Sequence, residues 1–228
     1  MFVFAGPLLA SSIVFSEVGD AGALPKNAQS VTGNNESVDA ILGRLNDANN
    51  ADMFEILITD LLDFSAEVFA DPLHPKSKVQ PQIFLFDENG FAISGGFGAV
   101  GDAILPFGPD PDLYLPGFYF LMVDTVGVDP SYTMTNPKGV LPRKQPAPLF
   151  CHDFALNPFA ANPCVGAENQ AIDGYIGEGL DPSFTGNYEI LLTGVTAFTP
   201  EPGTMVLLLS GLAAAVALHR RRNGRRAD

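Results

Sequence analysis

Carboxylates are the chemistry-bearing residues this chain offers in number. Asp47 and Asp52 flank the start of an apolar run, Asp87 and Asn89 belong to an Asp-Glu-Asn-Gly stretch, and Asp102, Asp110 and Asp112 crowd a proline-rich segment. Calcium takes hard oxygen donors of this kind, about six to eight at a time, from neighbouring loops. Asp47, Asp52, Asp87 and Asn89 are therefore the candidate calcium ligands, although no EF-hand spacing accompanies them. Cys151 and Cys164 stand 13 positions apart. They can close a disulfide if the chain folds in an oxidising compartment, or remain as two buried thiols. His152 is the one imidazole beside them, too little for a zinc site.

Catalytic constellations are sparse. The histidines are His74, His152 and His219, and neither GxSxG nor HExxH occurs. Cys151 precedes His152 directly, but chain neighbours rarely face each other as nucleophile and base. Gly96, Gly98 and Gly101 spell GxGxxG, a turn that must open a helix to seat a pyrophosphate. Pro106, Pro109 and Pro111 follow instead, so the stretch reads as a loop without a nucleotide. The expectation is a protein without catalytic residues and with no cofactor other than calcium.

Charge is divided unevenly along the 228 residues, whose net formal charge is −14. Five of the 12 basic residues (Arg220, Arg221, Arg222, Arg225 and Arg226) lie near the C-terminus, and two of the 26 acids lie beyond Thr199. The part before Thr199 thus carries 24 acidic against 7 basic residues, a balance of −17. Phosphate backbones repel such a body, so nucleic acid is excluded as a partner. A hydrophobic fraction of 46% is enough for a real core.

The two ends have their own character. Residues 2–9 are apolar and are followed by Ala10, Ser11 and Ser12, so residues 1–22 read as an export signal lacking its basic start, the alternative being that Met1 opens an ordinary strand. At the other end Pro200, Glu201 and Pro202 precede an apolar stretch at 203–218, which ends in the arginines. As a helix, those roughly 16 residues would span about 24 Å, against a hydrocarbon core of roughly 30 Å. The stretch is apolar on every face, unlike a core helix, and flanking arginines lengthen a short span by reaching the headgroups. A single C-terminal transmembrane helix is expected, with the arginines cytoplasmic and the acidic body outside. The triplet, apolar stretch and arginine cluster in this order at residues 199–228 resemble the PEP-CTERM sorting signal of Gram-negative bacteria. The resemblance implies recognition by an exosortase, with Pro200, Glu201 and Pro202 as the sorting motif and Arg220, Arg221 and Arg222 setting orientation. It also implies delivery to the cell surface or extracellular matrix.

The body reads as all-β. Short aromatic or β-branched runs at 53–59, 63–70, 82–88, 117–124 and 187–194 are separated by Gly, Pro, Asn and Asp. Asp87 to Gly90 reads as a hairpin turn. Residues 126–185, rich in proline and holding both cysteines, read as a long surface loop. Asp52 and Phe54, Leu85 to Gly90, Leu115 to Tyr119 and Gly186 to Leu191 resemble the motifs of the bacterial pre-peptidase C-terminal (PPC-like) domain. That resemblance covers most of residues 19–198 and implies a jelly-roll-like β-sandwich in a structural or binding role. The expected organisation is a leader at 1–22, a sandwich at 23–198 with an insertion at 126–185, and a sorting segment at 199–228. The alternative to a structural role is a calcium-dependent module for carbohydrate or exopolysaccharide, held by a membrane anchor.

Overall fold

The computed structural model describes residues 11–46, 51–71, 78–97, 102–105, 115–135, 144–152, 160–167, 169–177 and 184–199. The chain passes through β1 (Ser12–Ser16), β2 (Gln29–Ser30), β3 (Ser37–Leu45), β4 (Asp52–Ile58), β5 (Ser65–Ala70), β6 (Pro81–Phe86), β7 (Ala92–Phe97) and β8 (Asp102–Leu105). It continues through β9 (Gly117–Thr125), β10 (Asp129–Thr135), β11 (Lys144–Pro148), β12 (Phe150–His152), β13 (Ala160–Pro163), β14 (Gly174–Ile176), β15 (Gly186–Thr193) and β16 (Val195–Thr196). Among the described residues the helical element is a single 3-10 turn at Pro25–Asn27. No helix among them is long and apolar enough to cross a membrane. The apolar stretch 203–218, for which a helix is expected, lies outside the described residues.

Thirteen of these strands share one sheet in the order β12-β13-β7-β6-β9-β4-β16-β3-β15-β5-β8, with β1 joined to β3 and β2 to β4. Period-two alternation decides how that sheet folds over. Phe54, Ile56 and Ile58 of β4, Ile83 and Leu85 of β6, and Leu121 and Val123 of β9 turn to one side. They meet Ile41 and Leu45 of β3, Ala66 and Val68 of β5, and Tyr188, Ile190 and Leu192 of β15, giving a two-layer sandwich around an apolar core. The open seam nearly closes where β8 reaches β7. There the GxGxxG stretch departs from the loop expected of it, because Gly95 and Gly96 lie within β7 and pair with β13. A Cβ added at Gly96 would overlap the carbonyl of Ile104, so the glycine admits the β8 backbone. Gly98 and Gly101 lie outside the described residues.

The segment 126–185 is not the surface loop its composition suggests. It contributes β10, β11 and β14 as a separate three-stranded sheet, and β12 and β13 at the end of the large one. Leu149, Phe150, Cys164, Ala167 and Ile172 from this segment pack on Met53, Phe84, Phe86, Phe120 and Met122, forming a second core. This explains why β6 is buried at every position, as its unbroken Ile-Phe-Leu-Phe run requires. The prolines misled the reading because they occupy an edge strand and strand ends, which is where sheets accept them. Cys151 and Cys164 are joined in a disulfide with Cα atoms 4.9 Å apart, closing the 13-residue separation at the β12–β13 pair.

The stretch read as the end of a leader also enters the fold. β1 runs parallel to β3 with Ile13 opposite Val38 and Phe15 opposite Ile41. The Glu17 to Gly22 segment then crosses to the head of β4, where the N–H of Met53 donates to the Gly22 carbonyl at 2.7 Å.

Candidate functional site

The head of β4 places a carboxylate at one end of the inner core. Asp52 shares its face with Phe54, Ile56 and Ile58 and has no solvent exposure (0%). Across the sandwich Tyr188 of β15 is equally buried, and its hydroxyl donates to Asp52 Oδ2 at 2.8 Å. The tyrosine fits because Gly43 lies opposite it in the β15–β3 ladder. A Cβ added at Gly43 would overlap the phenol ring and its hydroxyl.

Asp52 Oδ1 has no hydrogen-bond partner. One carboxylate oxygen from each of Glu17, Asp20 and Asp52 lies within 4.8 Å of the others. Glu17 is fixed by backbone donors: Ala21 N–H at 3.0 Å to Oε1 and Arg44 N–H at 2.8 Å to Oε2. Asp20 Oδ1 accepts from Gly22 N–H at 2.9 Å. The loop reaches this shape through left-handed glycines, Gly19 at φ +80° and Gly22 at φ +71°. Burial, reinforced by the charges of Glu17 and then Asp20, pushes the Asp52 carboxyl up to about 8, against the opposing pull of the Tyr188 bond. Burial also raises Glu17 above its usual range. Three clustered carboxylates, one of them buried with a free lone pair, form an all-oxygen donor set suited to a hard divalent cation such as calcium.

Of the four calcium ligands expected from sequence, the described residues place Asp52 apart from Asp87 and Asn89. Asp52 lies on β4 and Asp87 follows β6, with β9 between those two strands. Asp87 is occupied by its own turn: its Oδ1 accepts from the N–H groups of Asn89 and Phe91, both at 2.8 Å. Positive φ in that turn falls on Gly90 alone. Asp47 lies outside the described residues, as do Pro200, Glu201, Pro202, Arg220, Arg221 and Arg222. Glu17 and Asp20 were missed because the apolar 2–9 run assigned their neighbourhood to a leader. The available signal was the Glu-Val-Gly-Asp-Ala-Gly spacing, acids interleaved with the glycines a tight ligand loop needs.

A second buried acid has a structural role. Asp124 accepts from Gln82 Nε2 at 2.9 Å, and the same amide donates to the Val128 carbonyl at 2.9 Å, tying the end of β9 to the start of the covering layer. Burial holds this carboxyl well above its ordinary range. No thiol is available for nucleophilic chemistry, since both cysteines are in the disulfide. An open groove of about 710 Å³ at the start of β9 is lined by Leu115, Phe118 and Tyr119 together with Glu88, Phe91 and Asn169.

The last strand leads directly into the remaining functional segment. Residues 198–222 match the PEP-CTERM protein-sorting motif. No curated protein matches the chain. The motif supports an exported protein that an exosortase processes at the membrane before release to the cell surface. Fold and motif meet at Phe198, whose N–H donates to the Val31 carbonyl at 3.3 Å.

Proposed function

We propose that this chain is a non-enzymatic protein of a Gram-negative cell surface or extracellular matrix, delivered there by exosortase and acting as a structural or binding module. The observation that carries the reading is the sorting motif at 198–222, starting where the sandwich ends. In this reading 203–218 spans the membrane, Pro200, Glu201 and Pro202 are presented to the enzyme, and the arginines hold the cytoplasmic side. The PPC-like assignment is supported by where its motifs fall. Asp52 and Phe54 open β4, Leu85 to Gly90 end β6 and form its turn, Leu115 to Tyr119 lead into β9, and Gly186 to Leu191 lie in β15. Intact mass of the protein recovered from cells tests the sorting. A chain ending near Glu201 is expected, and recovery of the complete tail alone would overturn it.

A second reading, that the module is calcium-dependent, is favoured by the unpartnered Asp52 Oδ1 beside Glu17 and Asp20. Calcium in place of the Asp52 proton would supply the missing partner and tie β1 and its acidic loop to the inner core. Melting with and without chelator tests it: calcium should raise the midpoint of the natural chain and leave that of Asp52→Asn unmoved. A glycan array read in both conditions then separates a polysaccharide-binding module from a passive structural one.

A further inference from the structure

The sandwich is tied to its sorting segment on a very short tether. Ala197 is fully buried and donates its N–H to the Glu36 carbonyl at 2.8 Å. Phe198 is held on both sides, giving its N–H to the Val31 carbonyl and receiving the Gly33 N–H at 3.0 Å. Its ring stands edge-on to Phe118, with centroids 5.0 Å apart. The apolar stretch begins at Gly203, so residues 199–202 are all that intervene. Extended chain covers at most roughly 3.3–3.6 Å per residue, which limits the reach from Phe198 to Gly203 to about 17 Å. Crossing the headgroup layer takes about 5–7 Å of that, leaving about 10 Å between the lipid surface and Phe198.

The surface held there exposes apolar side chains, with Asp87 and Glu88 on the groove beside them. Phe118, in contact with Phe198, is 41% exposed, and Leu115 just before it is 71% exposed. We propose that, while the tail is in the membrane, the sandwich stands against the lipid surface on the face carrying Leu115 and Phe118. The proposal rests on the sorting reading, because it takes 203–218 to be inserted. The contact is apolar, since the body is strongly acidic and anionic lipid repels it. Phenylalanine and leucine side chains can bury at the boundary between headgroups and acyl chains.

The chain has no tryptophan, so a single substitution gives an unambiguous optical reporter. The experiment uses the uncleaved full chain with phosphatidylcholine vesicles, and flotation reports insertion of the tail. Leu115→Trp should shift its emission to the blue and be quenched several-fold more strongly by acyl-brominated lipid than Val18→Trp. Val18 is the control because it adjoins Glu17 of the acidic cluster, whereas Gly117 pairs with Ile58 at the opposite end of β4. Phe118→Trp should repeat the Leu115→Trp result, and admixed phosphatidylglycerol should weaken it. Flotation with an unshifted Leu115→Trp, or equal quenching at Val18→Trp, overturns the docked face and leaves the tail reading standing. Stronger quenching with anionic lipid overturns the apolar contact, and failure to float overturns the tail reading together with the proposal.

Discussion

Tyr188 bonds one oxygen of Asp52 and nothing bonds the other, an arrangement that water-free protein interiors tolerate only at a cost. Without metal the cost is reduced by protonation. The carboxyl titrates near 8 in the folded chain but near 4 when unfolded. Between those values the folded state holds a proton that the unfolded state has released. Metal-free stability is therefore full below about pH 4 and falls as pH rises towards about 8. Asp52→Asn, which cannot ionise, should flatten that decline in melts run across the same window. Calcium competes with the same proton, so its effect should grow with pH. At one hundred times its dissociation constant, calcium adds about 2.7 kcal/mol, equivalent to a rise of roughly 5–10 °C for a domain of this size. A calcium-dependent rise that persists in Asp52→Asn would remove this residue from the site.

The covering layer is the element-scale counterpart, because it buries the outer face of β6 throughout and of β9 from Tyr119 onward. Its one covalent tie is Cys151–Cys164. Closing a loop of this length stabilises by about 3 kcal/mol in the chain-entropy account. Replacing both cysteines with serine should lower unfolding free energy by about 2–4 kcal/mol in denaturant titrations. Proteolysis should then begin within 126–185 while the inner core stays protected. An unchanged cleavage pattern would show that packing on Phe84, Phe86 and Phe120 holds the layer without the disulfide. The inner strands were legible in sequence because alternation at Phe64, Ala66 and Val68 matches a pleat with one buried face. The covering strands were not, since β11 and β13 are short and carry prolines, and the residues that seat the layer, Leu149 and Phe150, pack on the far face of β6. The same limit hid the acidic loop. Asp52 could be read as an acid at a strand head, but its meeting with Glu17 and Asp20 depends on the parallel pairing of β1 with β3, which no local pattern encodes.

At the scale of the whole molecule, charge and hydrophobicity are arranged along one axis. The body before Thr199 is a polyanion of −17, the stretch 203–218 is apolar, and five arginines follow it. Basic residues beside an apolar span stay on the cytoplasmic side, whereas acidic residues influence orientation little. In the proposed reading the arginines are the orienting signal, and the body is exported because they are retained. Replacing Arg220, Arg221 and Arg222 with glutamate leaves a tail with two basic residues, Arg225 and Arg226, and three new acids. The sandwich should fold as before, because among the described residues its last strand ends at Thr196 and its last backbone ties are at Phe198. Its melting midpoint in the presence of calcium should match that of the natural chain. Delivery should fail, with full-length protein accumulating in the cell fraction and the processed mass disappearing from the surface. If the glutamate variant reached the surface with the same processed mass, orientation would have to come from another part of the chain. The arginines would then serve only to lengthen a span of about 24 Å to meet a core of roughly 30 Å, and substitution with lysine or glutamine would decide between charge and reach.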